Sequence, residues 1–149
     1  MSIKKISALA IAGLLAISAV ATVAQDAFVA PATPEEAVAA RKALMREDGG
    51  IMRGLGGLSG AEAVAALNTV LTNYTHIPDL FPEGSIVGDS KALPAIWENW
   101  DAFTAIVETG KTAATEAIAA AEAGDAAAYA EALGKLGGTC GACHQQFRS

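Results

Sequence analysis

The chain has 149 residues, with 10 Lys and Arg against 16 Asp and Glu, and only two Cys and two His. That length suits one domain, and an acidic balance lacks the basic footprint that nucleic-acid binding requires. The two cysteines lie three positions apart. As a structural disulfide they would close only a trivial loop, so they need another explanation.

The N-terminus reads as a secretory signal. Lys4 and Lys5 form a basic start, Ile6 through Val20 is apolar and uncharged, and Ala19-Val20-Ala21 and Thr22-Val23-Ala24 offer small-residue cleavage sites. The apolar run is shorter than the ~20 residues a membrane-spanning helix needs. We expect residues 1–24 to be a cleaved signal, with the cut after Ala24, and residues 25–149 to form a single domain. That domain would act in the periplasm with no stable membrane insertion. Loss of Lys4 and Lys5 leaves 8 basic and 16 acidic residues, a net charge of −8. The mean hydropathy of +0.36 is raised by the signal and by many alanines.

Residues 25–33 read as an irregular lead-in. Thr33-Pro34-Glu35-Glu36 then predicts a helix start: Thr33 can cap, Pro34 suits the first helical position and Glu36 closes a capping box. Val38, Arg41, Leu44/Met45, Ile51/Met52 and Leu55 fall on one stripe of this first helix. Gly49 and Gly50 should weaken it, and Gly54, Gly56 and Gly57 should end it. Ser59-Gly60-Ala61-Glu62 reads as a second capping box. The second helix follows, with Val64, Leu67, Val70, Leu71 and Tyr74 at helical spacing. Asn73 to Pro94 holds enough Pro and Gly to predict a long connection. The third helix should run from near Pro94 to about Ala123, with a bend at Gly110. Its apolar face carries Ile96, Trp97, Trp100, Phe103 and Val107. Gly124-Asp125 is a stop followed by a cap, and a fourth helix covers roughly Ala126 to Phe147. No period-two alternation competes. The fold class expected is all-α, an antiparallel up-down-up-down four-helix bundle.

The fourth helix ends in Cys140-Gly141-Ala142-Cys143-His144. C-x-x-C-H is the attachment signature of c-type haem. Two thiols add across two vinyl groups, so both must face the ring, and positions i and i+3 of a helix share a face. His144 at i+4 from Cys140 can then present its imidazole to the iron. A thioredoxin-like pair would want a βαβ setting. A structural zinc site needs four ligands, and only His76 and scattered carboxylates are on hand to complete one. Haem attached to the C-terminal helix is therefore the expectation.

The motif C-G-A-C-H-Q-Q-F-R resembles that of the cytochrome c′ family. So do Arg41-Lys-Ala-Leu-Met45 with Gly50 and Met52, Phe81-Pro-Glu-Gly-Ser85, and Ile96-Trp-Glu-Asn-Trp100. The resemblance spans nearly the whole chain after the signal. It implies one covalently attached haem c near one end of a left-handed bundle, with His144 as proximal axial ligand. It implies a distal position at Met45. In the low-spin c-554 and c-556 type members a methionine binds the iron there, and the protein carries electrons. In high-spin members the position is open and binds NO and CO. Gly141 and Lys42 stand where high-spin members often have a basic residue and a glutamine, which favours a bound Met45. The alternative is a Met45 that packs on the haem without a bond, and Met52, two turns on, is the fallback ligand. The resemblance further implies an Arg41 contact to a haem propionate and allows a homodimer through the first two helices. His76, beside Ile77 and Pro78 at a helix end, reads as a solvated or capping residue rather than a ligand. Arg148 lies four residues past His144, either tuning that imidazole or favouring the helix C-terminus. The aromatic residues read as core. No nucleophile or acid–base constellation appears, so the chain reads as an electron carrier rather than an enzyme. Its partners would be redox proteins, and its acidic surface suits steering to a basic patch on one of them.

Overall fold

A computed structural model describes residues 28–149; the signal expected at residues 1–24 lies outside them. Among the described residues the structure is helical and without strands. The elements are α1 (Pro34–Leu55), α2 (Gly60–His76), a 3-10 turn (Pro78–Leu80), α3 (Ala95–Glu98), α4 (Trp100–Ala123) and α5 (Ala126–Phe147). Helices α1, α2, α4 and α5 make the four-helix bundle.

The start of α1 follows its sequence. Thr33 has extended backbone, its Oγ1 accepts the Glu36 N–H at 3.2 Å, and the Glu36 carboxylate accepts the Thr33 N–H at 3.2 Å. The helix runs unbroken through Gly49 and Gly50. At α2 the box expected at Ser59 does not form: Ser59 is the N-cap residue but makes no side-chain capping bond. Helix α2 continues to His76, so the connection begins only at Ile77. The third helix is divided. Asn99 leaves helical geometry, with φ −133° and ψ 48°, and separates α3 from α4. The turn into α5 is tight. Gly124 takes the left-handed conformation at φ 68°, and Asp125 accepts the N–H groups of Ala127 and Ala128 at 3.1 and 3.0 Å.

Gly110 does not bend α4, which is continuous through it. Its role is to make room. A Cβ on Gly110 would sit 2.0 Å from Cε1 of Tyr74, so the Tyr74 ring of α2 lies directly against the α4 backbone. The densest packing joins α4 to α5 and α2 to α4. Leu67, Val70, Phe103 and Leu136 are fully buried at its centre, each stabilising the fold by roughly 1.5–3 kcal/mol through area removed from water. Helix α1 packs mainly on α2 and on the 3-10 turn, and a cavity separates it from α4 and α5.

The connection from Ile77 to Pro94 is irregular but fixed at three places. The Trp97 indole N–H donates to the Phe81 carbonyl at 3.0 Å. The chain end holds its far side: Leu93 N–H donates to Phe147 O at 3.0 Å, and Ser149 N–H to Lys91 O at 2.9 Å. The third fixing is Arg41, which reaches it from α1.

Candidate functional site

The cavity between α1 and the α4–α5 pair has a volume of about 680 Å³, within the ~300–1,000 Å³ of cofactor pockets. Helix α5 contributes Cys140, Cys143 and His144 to its wall, as their i, i+3, i+4 spacing requires. Helix α1 contributes Arg41, Met45 and Met52. Every sequence-predicted site residue therefore lines one space. His76 does not line it; its ring stacks on Phe28 at 3.8 Å between centroids, with Asp79 3.8 Å away. Of the aromatic residues, Tyr74, Phe81, Phe103 and Phe147 reach the cavity wall.

The α5 wall is chemically quiet. Burial, and secondarily the neighbouring Cys140, pushes the Cys143 thiol up to about 11, so it is a protonated thiol at neutral pH. Partial desolvation, and then the charge of Arg148, holds the His144 imidazole below its ordinary value. Both effects favour the neutral ring, the form that binds a metal. Tyr74 ties α2 to this wall: its hydroxyl lies 2.8 Å from Thr139 Oγ1 and 3.6 Å from Cys140 Sγ. Thr139 donates in turn to Leu136 O at 2.7 Å, so the Tyr74 hydroxyl is the donor to Thr139.

Arg41 is buried, and its partners belong to the connection. Nη1 donates to Leu80 O at 3.2 Å and Ser85 Oγ at 2.8 Å. Nη2 donates to Ser85 O at 2.5 Å and Ser90 Oγ at 2.7 Å. The guanidinium also lies 4.7 Å from the centre of the Phe81 ring. Only Nε–H has no acceptor among the described residues, so Arg41 is first of all the residue that organises this wall.

Asp48, one turn beyond Met45 on α1, also lines the cavity. Its Oδ1 accepts the Asn73 amide at 2.7 Å, while its Oδ2 is buried with no hydrogen-bond partner. Burial is the main cause that raises this carboxyl to about 6, helped by Glu47 and opposed by the Asn73 bond. Asp48 belongs to no motif in the sequence, although positions 41, 45, 48, 52 and 55 form one three- and four-residue series. A folded value above the ordinary 3.8 means that ionisation opposes folding. The penalty is absent below about pH 4, grows between about pH 4 and 6 and is complete above, at roughly 2–3 kcal/mol. Asp48→Asn should therefore stabilise the protein by about 2 kcal/mol at pH 7.5 and little at pH 4, as read by urea unfolding. An equal change at both pH values would count against the ionisation account.

A mostly apolar cavity with two thiols and an imidazole on one wall and a thioether on the other fits a covalently held haem. The comparisons with known proteins agree. The cytochrome c′ family pattern matches residues 32–148. A cytochrome c-556 of Agrobacterium tumefaciens (strain II Chrys) is 42% identical over 115 residues, covering 72% of this chain and 93% of that one. A cytochrome c′ of Pararhodospirillum photometricum is 33% identical over 124 residues, covering 78% and 99%. Among solved structures, a nitric oxide complex of a mutant cytochrome c′ from Alcaligenes xylosoxidans superposes with a TM-score of 0.70 at 27% identity, covering 79% of this chain and 98% of that one. The chain belongs to the cytochrome c′ family and is a haem c protein.

Proposed function

We propose that this protein is a periplasmic one-electron carrier, with haem c joined to Cys140 and Cys143 and its iron bound by His144 and Met45. The observation that carries the reading is the placement of Met45 and His144 on the same cavity from opposite helices. The cytochrome c-556 relative supports it. The bound haem supplies a ferric–ferrous couple. The chain's own residues do the rest. The α5 wall holds the ring and keeps His144 neutral, and a Met45 thioether favours the reduced iron. Phe103, Ile106 and Val107 on α4 exclude water from the ring. The remaining Arg41 N–H is the donor for a propionate. Residues 1–24 would direct export, and none of the described helices is long and apolar enough to cross a membrane.

The ferrous holoprotein should show sharp, resolved α and β bands that CO leaves unchanged. Met45→Leu should broaden them and make the iron take up CO at once, while Met52→Leu should not. A wild-type protein that binds CO immediately would sink the Met45 assignment and move the function to gas binding. The nitric oxide complex of the Alcaligenes xylosoxidans relative is the precedent for that outcome.

A further inference from the structure

The charge at the cavity is opposite to that of the molecule. Arg41, Lys42, Arg46, Lys91 and Arg148 all line it, and these are five of the eight basic residues beyond residue 24. Only two acidic residues line it, Asp48 and Asp89, out of sixteen in the chain. Asp89 is paired with Lys42. Arg46, Lys91 and Arg148 are exposed, and their side chains make no hydrogen bond or ion pair among the described residues. Even with two haem propionates counted here, the cavity face is not negative, whereas the other described residues include three basic and thirteen acidic ones.

Such segregation has a consequence for encounter. A partner is oriented by the field near the point of electron exchange, not by net charge alone, and fields at a cleft act most at low salt. We propose that the rim formed by Arg46, Lys91 and Arg148 is the docking surface for a redox protein that presents an acidic patch, so that the acidic bulk of this molecule turns the partner towards the haem. This rests on the electron-carrier reading and reverses the expectation from net charge, which pointed to a basic partner.

The test uses ferrous holoprotein oxidised by ferricyanide, an anion, and by tris(phenanthroline)cobalt(III), a cation. Rates are followed by stopped flow as the Debye length shrinks from roughly 30 Å to a few Å. Net charge alone dictates that the ferricyanide rate rises with salt. A basic rim dictates that it falls, by about threefold or more, while the cobalt rate stays flat or rises. Arg46→Glu with Lys91→Glu should lower the low-salt ferricyanide rate several-fold and reverse its salt dependence, because the cavity face then becomes negative. Lys135→Glu, where Lys135 is paired with Glu116 and Glu131 on the outer face of α5, should not. Poly-glutamate, the probe for an acidic protein surface, should slow the wild-type reaction at low salt and leave the double variant alone. A ferricyanide rate that rises with salt, or no inhibition by poly-glutamate, overturns the proposal. The absorption spectrum of the same sample separates the two readings: a five-coordinate spectrum removes the carrier function without touching the salt dependence, and a wrong salt dependence removes the rim with the spectrum intact.

Discussion

Arg41→Ala should lower stability by on the order of 3–4 kcal/mol, about 10–15 °C in Tm for a chain of this size. The buried guanidinium serves two carbonyls and two hydroxyls of the connection from 77 to 94. Hydrogen bonds to a charged donor are worth about 1.5–3 kcal/mol each, and a buried acceptor left without a donor costs about 1–3 kcal/mol. Those contributions overlap, because the loosened segment can rehydrate. Ser85, fully buried, has the least freedom to do so. Arg41→Lys separates charge from geometry: a compact ammonium keeps the charge but has only three donors and no fork. It should recover part of the loss and no more. The haem spectrum of Arg41→Ala should also shift, since Phe81, Asp89, Lys91 and Ala92 of the same segment form the cavity wall. A loss below about 1 kcal/mol by urea unfolding would show that the connection is held by its other fixings.

Gly110→Ala should cost about 2–3 kcal/mol although alanine is the better helix former. In an exposed helix interior the exchange gains roughly 1 kcal/mol. Here the new methyl would lie 2.0 Å from Cε1, 2.5 Å from Cδ1 and 3.0 Å from Cζ of Tyr74. The ring cannot swing aside cheaply, because its hydroxyl is bonded to Thr139 at the far end. Overpacking of this kind typically costs 1–3 kcal/mol and sometimes more, and it outweighs the propensity gain. The check is a double-mutant cycle with Tyr74→Leu. Gly110→Ala should be nearly neutral or favourable once the ring is gone, a coupling that independent sites do not show. If the cost is the same in both backgrounds, the close approach is not its cause.

These two residues also mark where sequence reading works and where it stops. Helices α1 and α5 were legible because their ends carry their own signals: the Thr33–Glu36 box, the Gly124 turn and the Asp125 cap. The haem motif was legible because its spacing is imposed by the ring. The rest depended on partners far along the chain. Gly110 looks like a weak point in a helix until Tyr74, 36 positions earlier, is seen against it. Asn99 breaks the third helix without a Pro or Gly to announce it. Ser59 has the residues of a capping box but no capping bond. Arg41 was expected to contact a haem propionate, but its four acceptors lie 39 to 49 positions away in a segment with no periodicity. The rim of positive charge is equally invisible in sequence, since residues 46, 91 and 148 meet only through the fold.

The cavity draws its two faces from opposite ends of the sequence, Met45 near the start of the folded chain and Cys140 near its end. With Met45 as the proposed ligand, a ring held at Cys140 and Cys143 on α5 would be a clasp across a chain segment of roughly 100 residues. In the chain-entropy account a cross-link of that span restricts the unfolded ensemble by the equivalent of about 4–5 kcal/mol. The electron carrier and the fastening that keeps α1 in register are on this view the same object.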